Sequence, residues 1–215
     1  MTGRSRDHRA TAPRAALGVR CHSGWAAFVV LGSVSATPQI LSRGKMDLCD
    51  ASIKGSKQPF HEAEPMMFAS AQKYIARCEA STNTLARNAL RALVATHGTL
   101  RGCCVLTASG RPLPELRAVL ASHALIHAAE GEFYRDAVVE AATQMSIPVF
   151  RIRERDVGAA ADRLPGTENE RRERLAAFGK QVGAPWRQDE KLAAIAAWLA
   201  LAGRASQAKV STPDA

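Results

Sequence analysis

Three short β-prone runs precede the first long helical stretch, and beyond it helix and strand patterns alternate; no other property of the chain restricts its fold as strongly. Leu17 to Cys21 and Trp25 to Leu31 are apolar runs joined by His22-Ser23-Gly24, a short polar connection whose glycine suits a hairpin. A third run, Gln39 to Leu48, comes after Thr37-Pro38 and completes an antiparallel meander, its Gly44 marking a bulge or a loose edge. Asp50 to Pro59 carries lysine, serine, glycine and proline and reads as a loop. Ala63 to His97 is alanine-rich and helix-favouring and is closed by Gly98, while Ser81 to Thr84 in its middle are cap-type residues that predict a break into two helices. Leu100 to Ala108 has the length and apolar character of a strand buried on both faces. Arg111-Pro112-Leu113-Pro114 opens a second helical region running to about Ser146, with Gly131 as a kink point. Pro148 introduces the strand VFRIRERDV, Ala159 to Gly183 is charged and helical or irregular, and Gln188 to Gly203 predicts a closing amphipathic helix. The order β-β-β-α-β-α-β-α defines an α/β fold, a mixed five-stranded sheet with helices on both faces.

With 215 residues, 47% of them hydrophobic, the chain can bury one sizeable core. One domain is expected over residues 16–203, between a disordered basic leader, 1–15, and a frayed tail, 204–215. The net charge of +9 favours an anionic partner, DNA or RNA first and an acidic membrane surface second. Five cysteines, with no CxxC pair, indicate neither a disulfide framework nor a zinc ribbon; reduced thiols in a cytoplasmic protein are expected, with Cys103 and Cys104 in the core. The leader has no apolar segment of a secretory signal, and no run reaches the length of a membrane span, so no membrane insertion is expected and nucleic acid, not a membrane, is the expected partner. Neither a P-loop nor a dinucleotide fingerprint is present, and without a G-x-S-x-G elbow the neighbours His22 and Ser23 do not make a nucleophile and its base.

Chemistry concentrates in Ser122 to Asp136. Leu116, Leu120, His123, His127, Glu130 and Tyr134 are spaced to share one helical face, so an apolar stripe turns ionisable along its length. His-x3-His-x2-Glu places two imidazoles and a carboxylate a turn apart, a spacing compatible with a divalent metal and equally with a hydrogen-bonded cluster fixing helix packing. A second group of candidates, Arg135, Arg151, Arg153 and Arg155, offers phosphate contacts. Glu154 and Asp156 interleave with them, so a solvated, ion-paired face is the competing expectation. Trp25, Trp186 and Trp198 fit core packing better than base stacking.

The order of elements resembles the ribonuclease H-like superfamily, which includes the RuvC-like Holliday-junction resolvases. LGVRCHSGWAAFVVLG resembles the first hairpin of such domains, ALIHAAEGEFYRDAVVEAATQMSIPVFRIRERDV their glycine-interrupted helix and fifth strand, and QDEKLAAIAAWLAL their closing helix. The resemblance implies two metal ions held by carboxylates from the first strand, the fourth strand and the last helix. Here the first strand offers Arg20, Cys21 and His22, the fourth has no acid, and only Asp189 and Glu190 match. The resemblance and these departures from it imply a degenerate ribonuclease H-like domain that binds DNA, RNA or a protein partner, with a homodimer as the expected assembly. The enzymatic alternative is a metal-dependent nuclease or phosphodiesterase in which His123, His127, Glu130 and Asp189 are catalytic. His127, Glu130 and Asp189 would hold Mg, Mn or Zn there, His22 and Ser23 converging on them. A structural or interaction protein is the third expectation.

Overall fold

The computed structural model describes residues 14–34, 37–108 and 112–204. Strands β1 (Arg14–His22), β2 (Trp25–Val34) and β3 (Thr37–Asp47) form the meander. Helices α1 (Pro59–Ala63) and α2 (Phe68–His97) lead to β4 (Leu100–Thr107), and α3 (Leu116–Leu120) and α4 (His123–Gln144) lead to β5 (Val149–Arg153). A 3-10 turn (Glu154–Asp156) and α5 (Val157–Ala161), α6 (Glu168–Val182) and α7 (Gln188–Leu201) complete the chain. The sheet order is β3-β2-β1-β4-β5, with β1 antiparallel to β2 and parallel to β4, and β4 parallel to β5. Three antiparallel strands extended by two parallel ones, with helices on both faces, is the ribonuclease H-like topology expected from the sequence.

The first hairpin closes in the two residues Ser23 and Gly24, with His22 opposite Trp25; Gly24, at φ 83°, takes the left-handed conformation that such a turn requires. Strand alternation then sorts β1. Ala15, Leu17, Val19 and Cys21 face α2 and α4 in one core layer, whereas Ala16 packs with α7 in the other. Gly18 shares the α7 side, where its backbone approaches the helix so closely that a Cβ would lie 1.9 Å from the Ala193 carbonyl oxygen.

Several boundaries differ from those expected. Ala15 is wholly buried, so the expected domain start at Ala16 falls inside β1; the rest of the leader and the tail from 205 lie outside the described residues. The bulge of β3 is at Leu41, which has no partner between Val30↔Ser42 and Leu31↔Ile40, while Gly44 makes room for the Phe28 ring. Ser81 to Thr84 do not break α2. Thr84 Oγ1 bonds back to the Ala80 carbonyl, Ser81 Oγ donates to Asp50, and the buried stripe Ile75, Cys78, Thr82, Ala86, Leu90 carries the helix straight past them. The second helical region is instead divided at Ala121 and Ser122, and α4 continues through Gly131. Helix α7 is not amphipathic. It lies on the centre of the sheet beneath α5 and α6, and Leu192 to Ala194 and Ala196 to Ala200 are all buried.

None of the five cysteines is in a disulfide. Cys103 and Cys104 are wholly buried, and burial pushes the thiols of Cys21 and Cys104 up to about 12. Titration of the native protein with a thiol-reactive disulfide reagent is therefore expected to modify Cys49, the one partly exposed thiol, rapidly and the other four only on unfolding. Rapid native reaction of three or more thiols would contradict this packing.

Candidate functional site

Two polar clusters lie on opposite sides of the sheet. The first is at the carboxyl end of β1, on the α7 side. Arg20 Nε and Nη2 donate to the Glu154 carboxylate at 2.9 and 2.6 Å, and its Nη1 donates to Asp189 Oδ1. His22 Nε2 lies 3.0 Å from the same Asp189 oxygen, and its ring stacks on Trp25 at 4.4 Å between centroids. Asp189 stands in the first turn of α7, where a carboxylate is favoured by the helix dipole. Burial opposes its ionisation, but the hydrogen bonds from Arg20 and His22 prevail and hold it below the ordinary aspartate range. Pairing with both acids raises the Arg20 guanidinium further, Glu154 contributing most.

Beside this network runs a groove of about 490 Å³ lined by Trp25, Arg43, Lys45, Arg187, Asp189 and Glu190. Arg43 is anchored by donating to the backbone carbonyls of Pro185 and Val182, and the Lys45 ammonium sits over the Trp25 ring, 4.9 Å from its centroid. Of the two acids in the lining, Asp189 is neutralised by Arg20 and His22, and Glu190 folds back to accept the Arg187 amide N–H at 2.9 Å. Arg43, Lys45, Arg187 and Trp25 supply the other charged and aromatic lining, with Lys45 also 3.4 Å from the Asp47 carboxylate on the exposed end of β3.

The second cluster joins α1 to α4. Glu130, only 4% exposed, accepts through Oε1 from the Phe60 and His61 amides at 2.8 and 3.1 Å, and His61 Nδ1 lies 3.2 Å from the same oxygen. Burial pushes the Glu130 carboxyl above its ordinary range, and the hydrogen bonds from His61 and Phe60 offset only part of that. His123 and His127 present Nε2 atoms 3.0 Å apart, and the His61 ring meets both edge to face. Glu130→Ala, which leaves two amide donors in the α1 turn unmatched, is expected to cost about 2 kcal/mol, read as a lower urea midpoint; an unchanged midpoint would show that α1 is not pinned by this carboxylate.

The expected convergence of all these groups does not occur. His123 and His127 meet each other and His61 stands between them and Glu130, but Asp189 and His22 pair with Arg20 on the other helical layer, so His127, Glu130 and Asp189 are not brought to one point. The reason is strand alternation: His22 and Arg20 point to the α7 face, and α4 packs on the face of Cys21, whose Sγ lies 3.9 Å from the Tyr134 carbonyl. Sequence reasoning missed Glu154, from the turn after β5, and His61, from a segment beside the expected loop. The local signal for His61 is Pro59, which suits the first turn of α1, and that for Glu154 is only its place among the arginines after β5.

The four arginines expected to meet phosphate are engaged with acids. Arg135 donates to the Leu106 carbonyl at 3.0 Å and pairs with Glu132 at 3.1 Å, tying α4 to β4. Arg151 pairs with Asp136 at 2.7 Å, Arg153 with Asp156 at 2.6 Å, and Arg155 stands 3.8 Å from Asp156. A larger groove of about 660 Å³ along α2 and α4 is lined by Glu79, Glu132, Asp136 and Glu140 against Arg87 and Arg151, a balance that does not favour an anion.

Neither a protein-family model nor a curated protein matches this sequence. Among solved structures, Thermus thermophilus RuvC superposes with a TM-score of 0.49 at 13% identity, covering 88% of this chain and 95% of that one. T. thermophilus RuvC in complex with a Holliday junction substrate gives 0.48 at 12% identity, covering 87% and 91%. The strand order and the two helical layers described above are those of a ribonuclease H-like fold. No helix among the described residues is long and apolar enough to cross a membrane.

Proposed function

We propose that this chain is a nucleic-acid-binding domain of ribonuclease H-like fold that has exchanged the two-metal carboxylate site for an ion-pair network, and that it holds the phosphate backbone in the groove beside that network. The observation that carries this reading is the groove itself: Arg43, Lys45 and Arg187 line it together with Trp25, and its two lining acids, Asp189 and Glu190, are already engaged. Fixed cations with few competing carboxylates attract phosphate without regard to base sequence. The donor set at the end of β1 does not fit two metal ions, because a guanidinium lies between Glu154 and Asp189 and supplies the positive charge there. In this reading Arg20 positions Asp189 at the head of α7, and Arg43 fixes the segment before α7, so that the groove keeps its width.

Binding of a fluorescent oligonucleotide to Lys45→Ala and Arg187→Ala tests the assignment against the arginines of β5. Each substitution is expected to weaken binding several-fold, on the order of 1 kcal/mol per lost phosphate contact, with little change in melting temperature. Arg153→Ala is expected to bind as the parent does. The reverse pattern, loss with Arg153→Ala and none with the groove variants, would move the interface to the far edge of the sheet.

A further inference from the structure

We propose that His61, His123 and His127 form a binding site for a divalent zinc-class ion, with Glu130 as the buried carboxylate that orients His61 toward it. This site is separate from the nucleic-acid groove and does not depend on that reading.

Each of the three histidines offers a ring nitrogen, and these three atoms lie within 4.8 Å of one another. His123 and His127 are successive on one face of α4, and their Nε2 atoms are 3.0 Å apart. Two nitrogens bound to one tetrahedral zinc at 2.0–2.1 Å lie about 3.3 Å apart, so this pair is already close to ligand spacing. His61 reaches them from α1, its ring centroid 5.4 Å from that of His123 and 4.8 Å from that of His127. Its Nδ1 faces Glu130 Oε1, which leaves Nε2 as the nitrogen for a metal. A carboxylate on the far nitrogen of a ligating imidazole is the usual outer partner in zinc sites, since it fixes the ring and strengthens it as a donor.

The second observation is Glu130. Its Oε1 is held by two backbone amides and the His61 ring, and its Oε2 is buried with no hydrogen-bond partner. A carboxylate so placed is expensive to keep charged unless a cation stands nearby. Three imidazoles with one carboxylate behind them suit a divalent ion, and the exposure of His123 and His127 leaves an entry path and a fourth position for water. The donor set selects among metals as well: imidazole favours zinc, copper, nickel or iron, whereas magnesium and calcium take oxygen ligands.

The test is isothermal titration of the full, metal-stripped and reduced chain with Zn2+, repeated with Co2+ to read the visible bands of a four-coordinate site. One equivalent is expected to bind and to raise the melting temperature. His123→Ala and His127→Ala, both at exposed positions, are expected to fold as the parent does and to lose that binding and the Co2+ bands. His22→Ala is expected to keep both. Glu130→Gln is expected to bind about 10- to 100-fold more weakly, the usual effect of removing an outer partner. Absence of stoichiometric binding by the folded parent, or equal affinity in His123→Ala and His127→Ala, would overturn the site and show that the imidazoles only hydrogen-bond to each other.

Discussion

Gly18→Ala is expected to be the most damaging small substitution in the chain, costing about 3 kcal/mol or more, because the added methyl has no direction in which to yield. The Cβ would stand 1.9 Å from the Ala193 carbonyl oxygen and 2.4 Å from the Ala197 amide nitrogen, both backbone atoms of α7. Helix α7 would have to lift from β1, and its seat is the second core layer: Ala193, Ala194, Ala196, Ala197 and Leu199 are all wholly buried. Lifting it opens gaps along that whole line, and a domain of this size has roughly 5–15 kcal/mol to lose. Chemical denaturation of Gly18→Ala beside Gly98→Ala separates this from a generic glycine effect. Gly98 has φ 73° and nothing near its Cβ position, so alanine there carries only the conformational penalty, about 1 kcal/mol. Equal midpoints for the two variants would mean that α7 does not rest on β1 as described.

Arg20→Met carries the second large effect. The guanidinium side chain is 22% exposed and bridges Glu154, 40% exposed, to Asp189, 25% exposed. Pairs on open surface contribute under about 1 kcal/mol, and breaking a fully buried pair costs roughly 3–5 kcal/mol, so a loss of about 2 kcal/mol at neutral pH is expected here. The pH dependence identifies the cause. Asp189 is held below its ordinary range in the folded protein, so its contribution is complete above the unfolded aspartate value and is lost as pH falls through the folded one. Without Arg20, burial acts on Asp189 with only His22 opposing it, and that contribution is reduced. The stability difference between parent and Arg20→Met is therefore expected to be widest near neutrality and to close as the solution is acidified below the aspartate range. A difference that stays constant across that window would assign the loss to packing of the arginine stem instead.

Most of the fold was legible because its signals are local. The hairpin at Ser23-Gly24, the buried strand Leu100–Thr107 and the closing helix come from alternation, apolar runs and glycine placement within a few residues. The misreadings arose where tertiary burial overrode local preference. Ser81 to Thr84 have the chemistry of a cap, but α2 is held through them by a buried stripe on one side and side-chain bonds on the other. Helix α7 was expected to keep a wet face, yet α5 and α6 cover it. The site was half legible. His123, His127 and Glu130 share a face as their spacing required. His61 joins Glu130 from 69 positions away, and Glu154 joins Arg20 from 134, separations about which spacing says nothing. The expected union of Asp189 with the α4 histidines conflicts with the alternation of β1, which sends His22 and Cys21 to opposite faces.

The salt dependence of oligonucleotide affinity, measured by fluorescence anisotropy for the parent and for Arg187→Ala, tests the nucleic-acid reading most directly. The logarithm of the association constant is expected to fall linearly with the logarithm of salt concentration, with a slope that shrinks by about 0.7 for a single strand or about 0.9 for a duplex when Arg187 is removed. A parent affinity indifferent to salt, or a slope unchanged in Arg187→Ala, would contradict phosphate binding in this groove.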